Sequence, residues 1–291
     1  MVTFSMKIWL IAPWCSAEDM VELARHAEHL GFEGIMGADH GFVPETMDAG
    51  YLYSKDGKPP ISGDMAYPDV WSTMGAMAAV TERIKLSTAV YVLPLRHPIE
   101  VAKATGTLAR LSNNRVILGA GSGWMKEEFA VYGVEFSTRG RRMNEMIDVL
   151  RKLWAGGYVK HEGEFFSFPP LQLAPAPTRP VPVYIGGASN LALKRAARLG
   201  QGWIGAGNNI DEVPDILQKL SDYRSEYGRQ QEPFETVIPV NQLQQVDKLK
   251  HLEELGMTST VFGFSDHSLP LAEKLKQMEL FSQHLMPALC Q

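Results

Sequence analysis

Two short stretches hold residue types that can do chemistry. Asp39-His40 closes the apolar run GIMGA at 34–38. An imidazole changes charge near neutral pH and a neighbouring carboxylate tunes it, so a histidine held there can give or take a proton. The other reading is a structural histidine bonded to a loop carbonyl. The second stretch is PVPVYIGGASNLALKRAARLG, residues 180–200. It reads as a β-branched strand over 181–185, broken by Gly186-Gly187, with Ser189 or Asn190 capping a helix that runs through Leu199. Such a turn bares backbone N–H groups and the positive end of the helix dipole, an arrangement suited to phosphate. Lys194, Arg195 and Arg198 either add positive charge there or face water one turn on. Any βα turn uses a glycine and a cap, so the motif alone leaves phosphate binding open.

The elements that must position these residues alternate along the chain. Strands are predicted at 6–12, 34–38, 84–93, 115–120, 181–185, 203–205, 235–239 and 258–262. Helices are predicted at 17–30, 68–80, 98–111, 138–154, 190–199, 211–227, 241–255 and 269–285. Eight strand–helix units imply an α/β fold of the (β/α)8 TIM-barrel type, one domain over residues 1–291. Two insertions are expected: a polar loop at about 41–67, and about 155–180, where 158–168 alternates like a hairpin before a proline-rich link. A doubly wound sheet is the competing architecture. It usually carries GxGxxG after its first strand, and here Ala12-Pro13-Trp14-Cys15 has no glycine.

Barrel chemistry sits at the C-terminal ends of the strands. There the sequence places Trp14 as an aromatic wall, Asp39-His40, Ser87-Thr88-Ala89-Val90, the GAGSGW run from Gly119 through Gly121 and Ser122 to Trp124, and the Gly186–Ser189 turn. Glycines in such strand ends let backbone approach a planar ligand. His97 precedes Pro98 and reads as a helix-cap residue. No HxH, HExxH or carboxylate cluster supports a metal, so none is expected. A barrel lyase or aldolase wants a lysine inside a strand, and only Lys7 and Lys85 qualify, both near strand starts.

Composition narrows the classes further. The 291 residues are 45% hydrophobic, enough for a large core, and the net charge of −5 leaves no basic footprint for nucleic acid or an anionic membrane. No apolar run approaches the roughly 18 residues of a membrane span. The first twelve residues lack a signal-peptide pattern, and two cysteines at opposite ends make no disulfide framework. A cytoplasmic protein acting on a small molecule is expected.

The stretches GFEGIMGADH (31–40), ERIKLSTAVYVLPLRHPIEVAKATGTLARLSNNRVILGAGSGWMKEEFAVYGV (82–134), RGRRMNEMIDVLRKLW (139–154) and VPVYIGGASNLALKRAARLGQGWI (181–204) together resemble the bacterial luciferase-like superfamily of flavin- or deazaflavin-dependent oxidoreductases. The resemblance implies a TIM barrel with an insertion, a homodimer, and a redox ring at the barrel mouth. It also implies a cis peptide at Ala89-Val90, following Thr88, in a bulge against the ring, and a phosphate cradle at Gly186, Gly187, Ala188 and Ser189. Gly121 and Ser122 would line ring and phosphate, Asp39 would touch the coenzyme, and His40 would move a proton.

Two departures refine this. Luciferases carry an arginine for the FMN phosphate where this chain has Ser122, which tilts the cofactor towards coenzyme F420, with FMN as the alternative. The sugar-phosphate dehydrogenases have an acidic residue near Trp124; here tryptophan stands there, followed by Glu127 and Glu128. Trp124 reads as a wall over the ring or as a core aromatic under the long loop. The implied reaction is hydride transfer between F420 and a small organic substrate, under a lid at 41–67 carrying Tyr51, Tyr53, Lys55 and Lys58. A monooxygenase using reduced FMN and O2, and a non-catalytic flavin-binding protein, are the alternatives.

Overall fold

Alternation along each strand sorts side chains into two layers, and the strands close into a barrel to bury both. In a computed structural model, which describes residues 6–47, 50–51, 61–264 and 266–290, the eight barrel strands are β1 Lys7–Ile11, β2 Gly34–Gly37, β3 Lys85–Thr88, β4 Val116–Gly121, β5 Val183–Gly186, β6 Gly202–Ile204, β7 Glu235–Ile238 and β8 Ser259–Phe262. All pair in parallel with their neighbours in sequence, and β8 returns to β1 with Lys7 opposite Ser259 and Leu10 opposite Phe262. Closure leaves no barrel strand as a free edge. The expected α/β barrel is the fold.

Trp9, Met36, Ile117, Tyr184, Ile204, Val237 and Val261 point inward and fill the barrel as one cluster. Their strand neighbours Ile8, Leu10, Leu86, Leu118, Val183 and Ile185 point outward into a larger core beneath the helices. That outer ring is α1 Ala17–Leu30, α2 Val70–Val80, α3 Pro98–Leu111, α4 Arg139–Trp154, α5 Asn190–Leu199, α6 Val213–Glu226, α7 Val246–Glu254 and α8 Leu271–His284. Ser16, Asp69, His97 and Ser189 cap α1, α2, α3 and α5 with side-chain acceptors. Each such cap contributes about 1 kcal/mol. Among the described residues no helix is long and apolar enough to cross a membrane.

Three departures from the sequence reading bear on the site. The strand expected at 84–93 is broken: β3 stops at Thr88, the Ala89-Val90 peptide is cis, and Tyr91–Val92 resumes pairing beside β4 before a 3-10 turn at Leu93–Leu95. A continuous β-branched run carries no breaker, so periodicity could not locate this step. The 155–180 insertion is an antiparallel hairpin, Tyr158–Glu162 with Ser167–Gln172, longer than expected. It is docked through Glu145 on α4, whose carboxylate accepts the Phe165 and Phe166 N–H groups at 3.0 and 2.9 Å and meets His161 Nε2 at 3.1 Å. A short helix, Lys126–Val131, follows β4. Much of the lid expected at 41–67, with Tyr53, Lys55 and Lys58, lies outside the described residues.

The break after β3 rests on Gly119 of β4. The Thr88 hydroxyl donates to the Gly119 carbonyl at 2.6 Å, and a Cβ on Gly119 would stand 1.8 Å from the Thr88 carbonyl oxygen. Gly119→Ala is therefore expected to destabilise the fold by at least the roughly 1–3 kcal/mol of an overpacked core. A shift of the urea midpoint to lower concentration, at constant m-value, is the readout; an unshifted midpoint would show that the bulge yields.

Candidate active site

The C-terminal ends of β3, β4 and β5 build the floor of the barrel mouth. Val90 projects between the two following strands: a Cβ on Gly121 would lie 2.5 Å from Val90 Cγ2, and one on Gly186 would lie 2.5 Å from Val90 Cγ1. Only bare backbone at both positions lets the valine sit there. Thr88 is fully buried beneath it, while Ala89 and Val90 are half-buried and pack on the inner barrel cluster.

Asp39 braces this floor. Its Oδ2 accepts the Val92 N–H at 3.0 Å, and its Oδ1 meets the Arg96 guanidinium at 3.1 Å. Arg96 also lies over the rings of Tyr91 and Tyr132 and donates to the Tyr91 hydroxyl at 3.2 Å. Burial raises the Asp39 carboxyl above its ordinary range, against the pull of Arg96 and the Val92 N–H. The residue expected to touch the coenzyme thus has both oxygens committed to the segment that follows the bulge.

His40, the next residue, is held separately. Its Nδ1 lies 2.9 Å from Oε2 of Glu128, and Oε1 of the same carboxylate accepts the Gly41 N–H at 2.8 Å. The Glu128 side chain is 1% exposed and that of His40 is 13% exposed. With the carboxylate as acceptor, the hydrogen sits on Nδ1 and the Nε2 lone pair is left to exchange a proton. Sequence reading recorded Glu128 without giving it this part; only the short helix Lys126–Val131 turns it back to β2. Its one signal was an acidic pair close behind the glycine run.

Aromatic rings occupy the rest of the rim. Trp14, whose φ of 58° is in the left-handed region, meets His267 edge to face at 4.4 Å and donates its indole N–H to the Tyr67 hydroxyl. Tyr67 packs on His40 at 5.3 Å, His40 on Trp124 at 5.9 Å, and Trp124 on Tyr51 at 5.0 Å. Trp124 is half-buried, in contact with both His40 and Tyr51 of the long loop. Burial pushes the Tyr67 hydroxyl up to about 12 and holds His267 below its ordinary value, with Lys274 adding to the latter.

On the β5 side lies the turn expected to cradle an anion. Gly187 has φ of 119°, a conformation that favours glycine, and its carbonyl is fixed by the Trp203 indole N–H at 2.8 Å. Ser189 caps α5 through the Ala192 N–H at 3.2 Å, with Ala188 between them, so the first N–H groups of the helix are grouped at the barrel mouth. Lys194 lies over the Tyr223 ring, and Arg195 donates to Asn144 at 2.7 Å, so these cations are committed away from the turn. Arg139, which sequence reading passed over, stacks on Phe136 and donates to the Gly123 carbonyl at 3.2 Å, one residue beyond Ser122. Burial, then Arg198 and Arg139, pull the Arg195 guanidinium down, and burial does the same to Arg139. Among the described residues no group of three His, Cys, Asp or Glu is placed to hold a metal ion.

The chain is a parallel barrel with a glycine-lined bulge, a histidine–carboxylate pair and a helix N-terminus on one face, and sequence comparison gives its family. The model for the luciferase-like monooxygenase family matches residues 6–243, so the chain belongs to that family. An uncharacterized protein of Mycobacterium tuberculosis is 34% identical over 272 residues, covering 91% of this chain and 94% of the relative. An F420-dependent glucose-6-phosphate dehydrogenase of Amycolatopsis mediterranei is 29% identical over 268 residues, covering 89% and 76%. Among solved structures, an F420-dependent secondary alcohol dehydrogenase in complex with an F420–acetone adduct superposes with a TM-score of 0.79 at 18% identity, covering 99% of this chain and 100% of that one; this likeness is one of fold.

Two outcomes are expected of the site itself. Glu128→Ala removes a buried carboxylate that holds both Gly41 and His40, and loss of charged hydrogen bonds of this kind costs about 1.5–3 kcal/mol; the denaturation midpoint and faster amide exchange at Gly41 are the measurements, and unchanged exchange would contradict the tether. For Tyr67 the folded pKa lies above the unfolded one, so its share of stability is complete below pH about 10 and is lost as pH rises towards about 12. Tyr67→Phe should flatten that part of the alkaline stability profile, and an identical profile would place the decline elsewhere.

Proposed function

We propose that this chain is an oxidoreductase passing hydride between coenzyme F420 and a small organic substrate, with His40 carrying the accompanying proton. The observation that carries the proposal is the His40–Glu128 pair beside the Val90 floor, on the same face as the Gly187–Ser189 cradle. The residues fit such a coenzyme: bare backbone at Gly121 and Gly186 lets Val90 stand at the mouth as an apolar surface for a planar ring, and the α5 N-terminus suits a phosphate. Gly187, Ala188 and Ser189 would hold that phosphate, with Gly121 and Ser122 beside it.

When bound, the coenzyme supplies the hydride chemistry. The protein's share is position and proton handling. Glu128 fixes the His40 ring so that Nε2 serves as the base for a substrate hydroxyl, or, protonated, as the acid for a substrate carbonyl. Asp39 and Arg96 keep the floor rigid, and the aromatic rim excludes water.

Support for F420 over FMN comes from Ser122, which stands where the luciferase pattern has an arginine, and from the F420 dependence named for the Amycolatopsis relative. The test is fluorescence titration with F420 and FMN, each oxidised and reduced, on the wild type and His40→Ala. F420 is expected to bind both proteins alike, while single-turnover reduction of bound F420 by a panel of alcohols slows about 10²–10⁴-fold in the variant, the usual worth of a general base. Preference for reduced FMN would replace the proposal with a monooxygenase. Binding of neither would end it, and unchanged turnover in His40→Ala would remove the histidine from the mechanism.

A further inference from the structure

The mouth is divided by chemistry. Going round the barrel, the anion cradle is at the end of β5 and the bulge floor at the end of β3. The remaining arc, from the end of β8 across β1 and β2 to β4, is a connected series of rings: His267, Trp14, Tyr67, His40, Trp124 and Tyr51. All six are half-buried, so each keeps some exposed surface beside its packed neighbour. Four of the links are ring–ring contacts with centroids 4.4–5.9 Å apart and planes 71–88° apart. The fifth is the Trp14–Tyr67 hydrogen bond.

Among the described residues no Arg or Lys stacks on Trp14, Tyr67, His40 or Trp124, although Arg139 reaches the Gly123 carbonyl beside Trp124. Among the described residues the Arg and Lys groups that lie on rings lie on others: Arg96 on Tyr91 and Tyr132, Arg139 on Phe136, Arg142 on Phe166, Lys194 on Tyr223. Lys274, whose charge reaches His267, is 3% exposed and turned to Cys15 Sγ at 3.5 Å, with Asp19 at 3.7 Å. The arc's centre is in contact with the carboxylate of Glu128, which disfavours an anionic ligand.

We propose that the arc is the substrate-recognition surface and that it selects an uncharged aromatic alcohol or carbonyl compound, its ring packed among Trp14, Tyr67 and Trp124 and its oxygen at His40. This rests on the oxidoreductase reading for the identity of the reacting group, and it goes beyond it in the class of substrate. Aromatic rings gain from edge-to-face packing in addition to burial, whereas a saturated ring of the same skeleton gains burial alone. Among the described residues a phosphorylated sugar finds no cation stacked on Trp14, Tyr67 or Trp124, and it meets a carboxylate behind His40.

The test is calorimetric titration of the protein, without coenzyme or turnover, in inorganic phosphate buffer that competes for the turn before α5, with 2-naphthalenemethanol, its decahydro counterpart and glucose 6-phosphate. The naphthyl alcohol is expected to bind about tenfold more tightly than the saturated one, the effect of two edge-to-face contacts, with no heat from the sugar phosphate. Trp124→Leu, checked for an unchanged circular dichroism spectrum and melting midpoint, should remove most of that preference, and Tyr67→Phe, which keeps the ring, should retain it. Equal binding of the two alcohols to the wild type, tighter binding of glucose 6-phosphate, or a full preference in folded Trp124→Leu would each overturn the proposal. Because no coenzyme enters, an aromatic preference alongside failure to bind F420 would discard the oxidoreductase reading and leave the recognition surface standing.

Discussion

The structure depends on one close approach, that of the chain after β3 to the bare backbones of β4 and β5. Thr88 is bonded to Gly119, and Val90 fills the space that side chains at Gly121 and Gly186 would take. Three glycines from two strands are thus the condition for one valine to reach the barrel mouth. A sheet of regular strands would end in a crowded layer of side chains at this level. Here the layer is interrupted at β3, and the interruption is the flat apolar floor on which the proposed chemistry would take place.

Two buried carboxylates secure the segment that faces this floor, and each does so by taking a backbone N–H from outside its own element. Asp39, at the end of β2, takes Val92 and Arg96 beyond the bulge. Glu128, beyond β4, takes Gly41 and faces His40 beyond β2. The two ties cross, so Asp39 and His40, adjacent in sequence, are fixed to different parts of the rim. A buried carboxylate is tolerated only with such partners, since an unpaired one would cost several kcal/mol. Rigidity at the floor and direction at the imidazole come from the same two contacts that make the burial possible.

The rim then separates polarity by position. Backbone N–H groups at the start of α5, with Arg139 near the β4 end, give one side a positive character. The arc from β8 to β4 is aromatic, and the cations that approach rings do so elsewhere. A ligand with an anionic tail and a flat apolar partner would be sorted by this division without any moving part.

The sequence by itself determined the barrel and much of the mouth. Eight apolar strand runs separated by amphipathic helices leave few ways to bury both faces, and Gly187, Ser189, His97 and Asp39-His40 announce themselves by local chemistry: a left-handed glycine, two caps and a polar pair at a strand end. What only the tertiary structure decided are the pairings between distant segments. Val90 needs Gly121 and Gly186, Asp39 needs Arg96, His40 needs Glu128 88 positions away, and Trp14 needs Tyr67 and His267. None of these has a spacing rule, because barrel closure rather than helix or strand period brings them together. The break within residues 84–93 was hidden from periodicity for the same reason, its cause, the glycine backbone of β4, lying in another strand; only the family resemblance placed it at Ala89-Val90.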